Sequence, residues 1–198
     1  MALLRSPNET KPSRCRSALR AFVLAAVVLA GVWTGVARAA PVADEYQVKA
    51  AYLLNFARFV EWPDSCLPPG APLQIAIVGE DPFGGALDEV LRRKSANGHP
   101  IQLRRLRWSD ALTSCQIVFI SASEEEHLPE ILESLANRNV LTVSDIDRFS
   151  LRGGVIELLM VGNRVRFDIN RTAALAAGLT ISSKLLSVAR AVREGGPR

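Results

Sequence analysis

Two histidines and three cysteines are all that this 198-residue chain offers of the side chains most used to bind metals or attack substrates. His99 and His127 have no partners at ligand spacing, so a built-in zinc site is not expected. No G-x-S-x-G turn occurs, nor any serine or cysteine paired nearby with a base, and no catalytic residue is assigned. Gly79, Gly84 and Gly85 follow an apolar run and precede a helical pattern, the right place for a phosphate cradle. Their spacing fits neither dinucleotide nor P-loop motifs, and Glu80 and Asp81 would repel phosphate. An ordinary turn is expected there, with no cofactor and no enzyme activity.

An excess of one charge is lacking too, once the charge is placed along the chain. Six of the 24 basic residues and one of the 20 acidic ones precede Ala40, leaving 18 basic against 19 acidic side chains after it. A near-neutral domain has no electrostatic footprint for nucleic acid. The basic excess belongs instead to a leader. Arg5, Lys11, Arg14, Arg16 and Arg20 come before the uncharged apolar stretch 21–36, and Ala37-Arg38-Ala39 supplies the small-x-small pattern that signal peptidase reads. That stretch is shorter than the roughly 20 residues a spanning helix needs. Residues 1–39 are therefore read as a signal peptide and residues 40–198 as one exported domain, with no membrane insertion after cleavage. The expected location is the periplasm of a Gram-negative cell.

In that oxidising space Cys66 and Cys115 can form one disulfide, contributing about 4 kcal/mol on the chain-entropy model. Two separate buried thiols are the alternative.

Val48, Tyr52, Phe56, Phe59 and Val60 recur at helical spacing over 44–60, and Trp62-Pro63 ends that helix. Leu73 to Val78 reads as a buried strand, 85–93 as a helix, Ile101 to Leu106 as a half-exposed strand and Cys115 to Ile120 as a central one. A helix with Leu128, Ile131, Leu132 and Leu135 inward and a strand over 140–143 follow. Alternating strands and helices predict a three-layer, Rossmann-like α/β sandwich on a mostly parallel sheet.

The last third changes character. Runs 155–161 and 164–169 flank Gly162-Asn163, which predicts an antiparallel hairpin. Val165, Phe167 and Ile169 fall on one face, and Arg164, Arg166 and Asp168 on the other. That charged row is either a solvated face or an interaction surface. Asn170 is placed to cap a short helix ending at Gly178, and Ser182 or Ser183 to open a last one with Leu185, Leu186, Ala189 and Val192 inward.

A second candidate, a ligand or buried polar site, comprises Asn55, Trp62, Gly153 and Gly154. Asn55 lies within the apolar stripe of the first helix, where its amide must bond to backbone or face a ligand or partner. Trp62 is a core lid or a binding platform, and Gly153-Gly154 reads as a tight turn.

Six segments together resemble the YfiR/HmsC-like periplasmic proteins: KAAYLLNFARFVEWP (Lys49 to Pro63), IAIVGEDPFG (Ile75 to Gly84), CQIVFIS (Cys115 to Ser121), VLTVSDI (Val140 to Ile146), GGVIELLMVGNRVRFDIN (Gly153 to Asn170) and SSKLLSVA (Ser182 to Ala189). The resemblance implies a repressor that binds the periplasmic part of an inner-membrane diguanylate cyclase of the YfiN type, lowering cyclic di-GMP signalling and biofilm formation. It also implies a redox link through disulfides, for which only Cys66 and Cys115 are present here. On this reading Arg164, Arg166, Asp168 and Asn170 contribute to the partner contact, and exposed hairpin edges suit a homodimer. The competing reading is a periplasmic small-molecule-binding sensor feeding another membrane signalling protein, with its ligand near Asn55 and the carboxyl ends of the parallel strands.

Overall fold

A computed structural model describes residues 41–194, with side chains from residue 45. The leader, residues 1–39, and the tail 195–198 lie outside the described residues. Helix α1 (Pro41–Phe59) leads into the two-residue strand β1 (Val60–Glu61). Next come β2 (Leu73–Val78), α2 (Gly85–Leu91), β3 (Ser95–Ala96), β4 (His99–Leu106), β5 (Ile117–Ile120), α3 (Leu128–Leu135) and β6 (Leu141–Ser144). The last third holds β7 (Ile156–Val161), β8 (Arg164–Asn170), α4 (Arg171–Ala176), β9 (Thr180–Ile181), α5 (Ser183–Val188) and β10 (Ala191–Arg193).

Strands β2, β5 and β6 are short, apolar and almost wholly buried, as expected of strands covered on both faces. They lie at the centre of a sheet ordered β10-β8-β7-β6-β5-β2-β4-β3. The strands β4, β2, β5, β6 and β7 run parallel. In chain order that row reads second, first, third, fourth, fifth, one of the two common doubly wound orders. β8 turns back antiparallel on β7, and β10 returns parallel to β8.

Alternation along β5 divides the interior into two cores, which makes three layers. Ile117 and Phe119 join Leu53, Phe56, Leu87 and Phe167, while Val118 and Ile120 join Leu128, Ile131 and Phe149 on the other side. In the first core the Phe167 ring meets Phe56 and Tyr52 edge to face, at 5.3 Å in each case.

Several expectations need correction here. The first helix ends at Phe59 because Val60–Glu61 pairs antiparallel with Thr180–Ile181. The last helix stops at Val188, and Val192, expected inward on it, lies in β10 with 39% of its surface exposed. The strand expected from Ile101 begins at His99, because Asn97-Gly98, both at positive φ, turn β3 onto β4 as a small hairpin.

The Gly153-Gly154 turn splits into two jobs. Gly153 takes a φ of 105°, which favours glycine, whereas Gly154 packs so closely that a Cβ there would overlap the ring of Phe149. Phe149 is fully buried in the second core. Gly154→Ala is therefore expected to cost about 2 kcal/mol. Urea unfolding checks it: the midpoint should fall at an unchanged slope.

Candidate functional site

The hairpin forms as its turn residues require. Gly162 has a φ of 59° while Asn163 is not among the positive-φ residues, the pattern of a II′ turn. Val165, Phe167 and Ile169 are buried, and Arg164 and Arg166 are exposed on the face they share with their register partners Val161 and Leu159, Val161 leaving 46% of its surface open. The tip thus presents two cations on an apolar edge.

Asp168 departs from the expected wet row, being fully buried. The cause is β10, whose Ala191 is the register partner of Asp168, so that Arg190 and Arg193 close over the carboxylate from either side. Arg190 Nε donates to Oδ1 at 2.7 Å, Arg190 Nη2 donates to Oδ2, and Arg193 Nη2 donates to Oδ2 at 2.9 Å. Burial alone would raise the Asp168 carboxyl. Arg190 and then Arg193 outweigh it and hold the group below the usual carboxylate range. Asn170 is also buried: its Oδ1 accepts from Ala173 N at 3.0 Å as the α4 cap, and its Nδ2 donates to Ser150 O at 2.9 Å. Of the four residues expected at a partner contact, Arg164 and Arg166 are at the surface, and Asp168 and Asn170 hold the structure behind them.

Glu157 lies directly across from Asp168 in the β7–β8 register. Its carboxylate accepts from Arg148 N, Ser150 N and Ser150 Oγ, the last at 2.6 Å, which anchors the loop after β6. A second charged cluster sits at the end of β6. Lys49, only 3% exposed, bridges Glu45 and Asp145 at 2.6 Å each, and Tyr46 Oη donates to Asp145 at 2.8 Å. Burial and then the Asp145 charge push the Tyr46 hydroxyl well above its ordinary range.

Between the two clusters lies a cavity of about 550 Å³, bounded by Lys49, Asp145, Leu151, Leu159, Arg190 and Arg193 among others. Open α/β sheets usually hold ligands where strand order reverses, here between β2 and β5. That crevice is filled: Glu80 N donates to Ser123 Oγ at 2.9 Å, and a Cβ on Gly79 would strike Ser123 and Glu124. The open space has moved to the carboxyl end of β6, where residues 145–155 cross to β7 without a helix.

The second expected site is not assembled. Asn55 is half-buried on α1 and is not part of the large cavity wall. Trp62 packs on the first core beside a small cavity of about 110 Å³, far in sequence from Gly153 and Gly154. Cys66 and Cys115 are unbonded thiols in this structure, Cys66 half-buried and Cys115 buried. Gln116 Nε2 ties the Cys66 loop down by donating to Cys66 O, but the Cys66 thiol donates to Pro63 O at 3.2 Å and packs on the first core. Cys115 belongs to the second core. Burial raises both thiols above their ordinary value.

Sequence reasoning missed Lys49, Asp145, Arg190 and Arg193. A lysine on the buried stripe of a helix was the available signal for the first. The arginines flank Val192, which is expected inward on a last helix that in fact ends before them.

Among the described residues no group of histidine, cysteine and acidic side chains could hold a metal ion. No described helix is long and apolar enough to cross a membrane.

A doubly wound sheet, covered on both faces and closed by an antiparallel hairpin, places the chain in the class of three-layer Rossmann-like α/β domains. Residues 46–190 match the YfiR/HmsC-like family, and the chain belongs to it. That family is periplasmic, regulatory rather than catalytic, and implies interaction with a membrane signalling protein. Among solved structures, the chain is similar to a conserved domain protein from Vibrio cholerae, with 14% identity, a TM-score of 0.50 and 75% of this chain covered. It spans about 60% of the length of that Vibrio chain. A weaker likeness, TM-score 0.45 and 9% identity, covers 61% of this chain and 55% of an ABC domain from Streptococcus pneumonia in complex with L-Trp.

Proposed function

We propose that this protein is a periplasmic regulator that binds the periplasmic part of an inner-membrane diguanylate cyclase of the YfiN type and holds it inactive. Cyclic di-GMP and biofilm formation fall as a result. The observation that carries this reading is the family match across residues 46–190. Such a protein acts by binding alone, since a partner shifts a two-state enzyme only by its differential affinity for the states.

The hairpin tip supports a contact surface. Arg164 and Arg166 stand exposed on one face with Val161 and Leu159, and arginine with apolar neighbours is favoured at protein interfaces. Asp168 serves that surface from beneath by fixing β8 against β10. The double variant Arg164→Glu/Arg166→Glu should leave stability within about 0.5 kcal/mol. It should weaken capture of the cyclase periplasmic domain at least about tenfold and raise cyclic di-GMP in a strain carrying both proteins. Undiminished capture would remove the hairpin from the interface, and failure of the unmodified protein to bind any such cyclase would remove the reading itself.

The second reading, a sensor module for a small molecule, is favoured by the cavity at the end of β6.

A further inference from the structure

We propose that the free edge of the sheet along β4 docks on the anionic headgroups of a phospholipid bilayer, resting at the surface without inserting. This goes beyond the regulatory reading and does not depend on which protein is bound.

The near balance of charge hides an uneven placement. Residues 92–107 hold Arg92, Arg93, Lys94, Arg104, Arg105 and Arg107 and no acidic side chain. Six of the 18 basic residues after Ala40 thus fall in one short segment, leaving 12 to face all 19 acidic ones elsewhere. All six are exposed. Asp81 and Asp88 are taken up by Arg105, and Asp110 lies 3.5 Å from Arg107, whose side chain is still 83% exposed. Arg104 donates only to uncharged groups, Gln74 Oε1 and Ser114 Oγ. Arg92, Arg93 and Lys94 enter no ion pair among the described residues, and Glu89 is the exposed acid that precedes them.

Topology strings these cations into a margin. β4 pairs with β2 on one side, while on the other β3 reaches only to Pro100. Ile101 N donates to Lys94 O at 3.2 Å, so Lys94 stands level with Ile101 on the outer side. From there to Arg107 the strand climbs about 20 Å. Arg104 and Arg105 fall on opposite faces and flank the open edge from both layers.

At the top of the margin stands Trp108, 42% exposed and held by stacking on His127 with ring centres 4.5 Å apart. An open indole beside cations is the pairing that favours a bilayer surface, where the ring sits at headgroup level and basic side chains meet lipid phosphates. A protein partner fits less well. Between Arg92 and Arg107 the exposed side chains are polar or charged apart from Pro100, so the margin lacks the apolar centre of a protein interface. Arginines on an edge strand also discourage an added strand. A layer of mobile phosphates asks for neither. The hairpin tip lies five strands away, about 24 Å at ordinary strand spacing, so both surfaces can be occupied together.

The test is co-sedimentation of the protein, purified from the periplasm, with vesicles of phosphatidylethanolamine containing about one quarter phosphatidylglycerol. Phosphatidylcholine vesicles are the neutral control. Binding to the anionic vesicles should be at least tenfold tighter than to the neutral ones and should be lost in about 1 M salt. Lys94→Glu/Arg104→Glu should weaken it at least tenfold with the melting temperature little changed, since both side chains are exposed. Arg138→Glu/Lys184→Glu makes the same change of net charge at exposed positions outside the segment and should bind within about twofold of the parent. Tryptophan emission should shift to the blue on anionic vesicles, and Trp108→Phe should lose that shift. The proposal is overturned if both kinds of vesicle bind alike, even where the edge holds an acidic protein instead. It is equally overturned if the two double variants weaken binding to the same extent, or if Trp108→Phe keeps the emission shift. Capture of the cyclase domain in lipid-free solution tests the regulatory reading and not this one.

Discussion

Asp168→Ala is expected to lower the melting temperature by about 10 °C at neutral pH, from a loss of about 3 kcal/mol. The carboxylate is fully buried and accepts from both Arg190 and Arg193, so its removal leaves two guanidinium groups without their anion. Both arginines reach water, with 42% and 36% of their side chains exposed, which keeps the cost at the lower end for a broken buried pair. The loss should reach beyond the pair, because the same contacts hold β10 to the edge of β8. Hydrogen exchange across 189–193 should quicken more than elsewhere.

The acid limb follows from the same group. Its folded pKa is depressed, so its stabilisation is present above the unfolded carboxyl value of about 3.9 and is lost as pH falls through the folded value. The gap in melting temperature between the parent and Asp168→Asn should hold steady from neutral pH to mildly acid solution. Below about pH 4 it should close. A gap that widens on acidification would show that Asp168 is not the charged partner described.

Lys49→Ala is expected to cost about 4 kcal/mol, because the buried ammonium separates two carboxylates. Lys49 also lies 4.2 Å from the centre of the Tyr46 ring, so the stem and the charge are both in use. Without it, Glu45 and Asp145 face each other with no cation between them. The double variant Lys49→Met/Asp145→Leu should recover more than half of that loss, since removing a buried pair together is far milder than orphaning one member. Chemical denaturation of both variants forms the cycle. A single variant within about 1 kcal/mol of the parent would show that the ammonium is replaceable by water.

Most of the parallel sheet was legible from local pattern. Leu73 to Val78 stands at its expected bounds, because a short apolar run between turn residues has few other fates. The β7–β8 hairpin follows from Gly162-Asn163, and the Asn170 and Ser182 caps are in place. What could not be read locally was decided by long-range pairing. Residues 185–192 keep a helical apolar period, yet the chain leaves the helix after Val188 since β8 offers an open edge and Asp168 an anion for two arginines. The alternation that put Asp168 beside Arg164 and Arg166 was right about the face and blind to what covers it. The same limit hid the cavity: Lys49 and Asp145 are 96 residues apart and meet only in the folded chain.

One consequence follows from how α1 is held. Its apolar stripe rests on Phe167, its exit strand β1 pairs with β9, and Ser182 N donates to Phe59 O at 2.9 Å. The last supports of this helix therefore emerge late, Ser182 with only 16 residues of the chain still to follow. A chain being made covers part of that greasy side early, against α2 and Phe83, but leaves the Tyr52 and Phe56 rings without Phe167 until the hairpin arrives, which delays cooperative collapse.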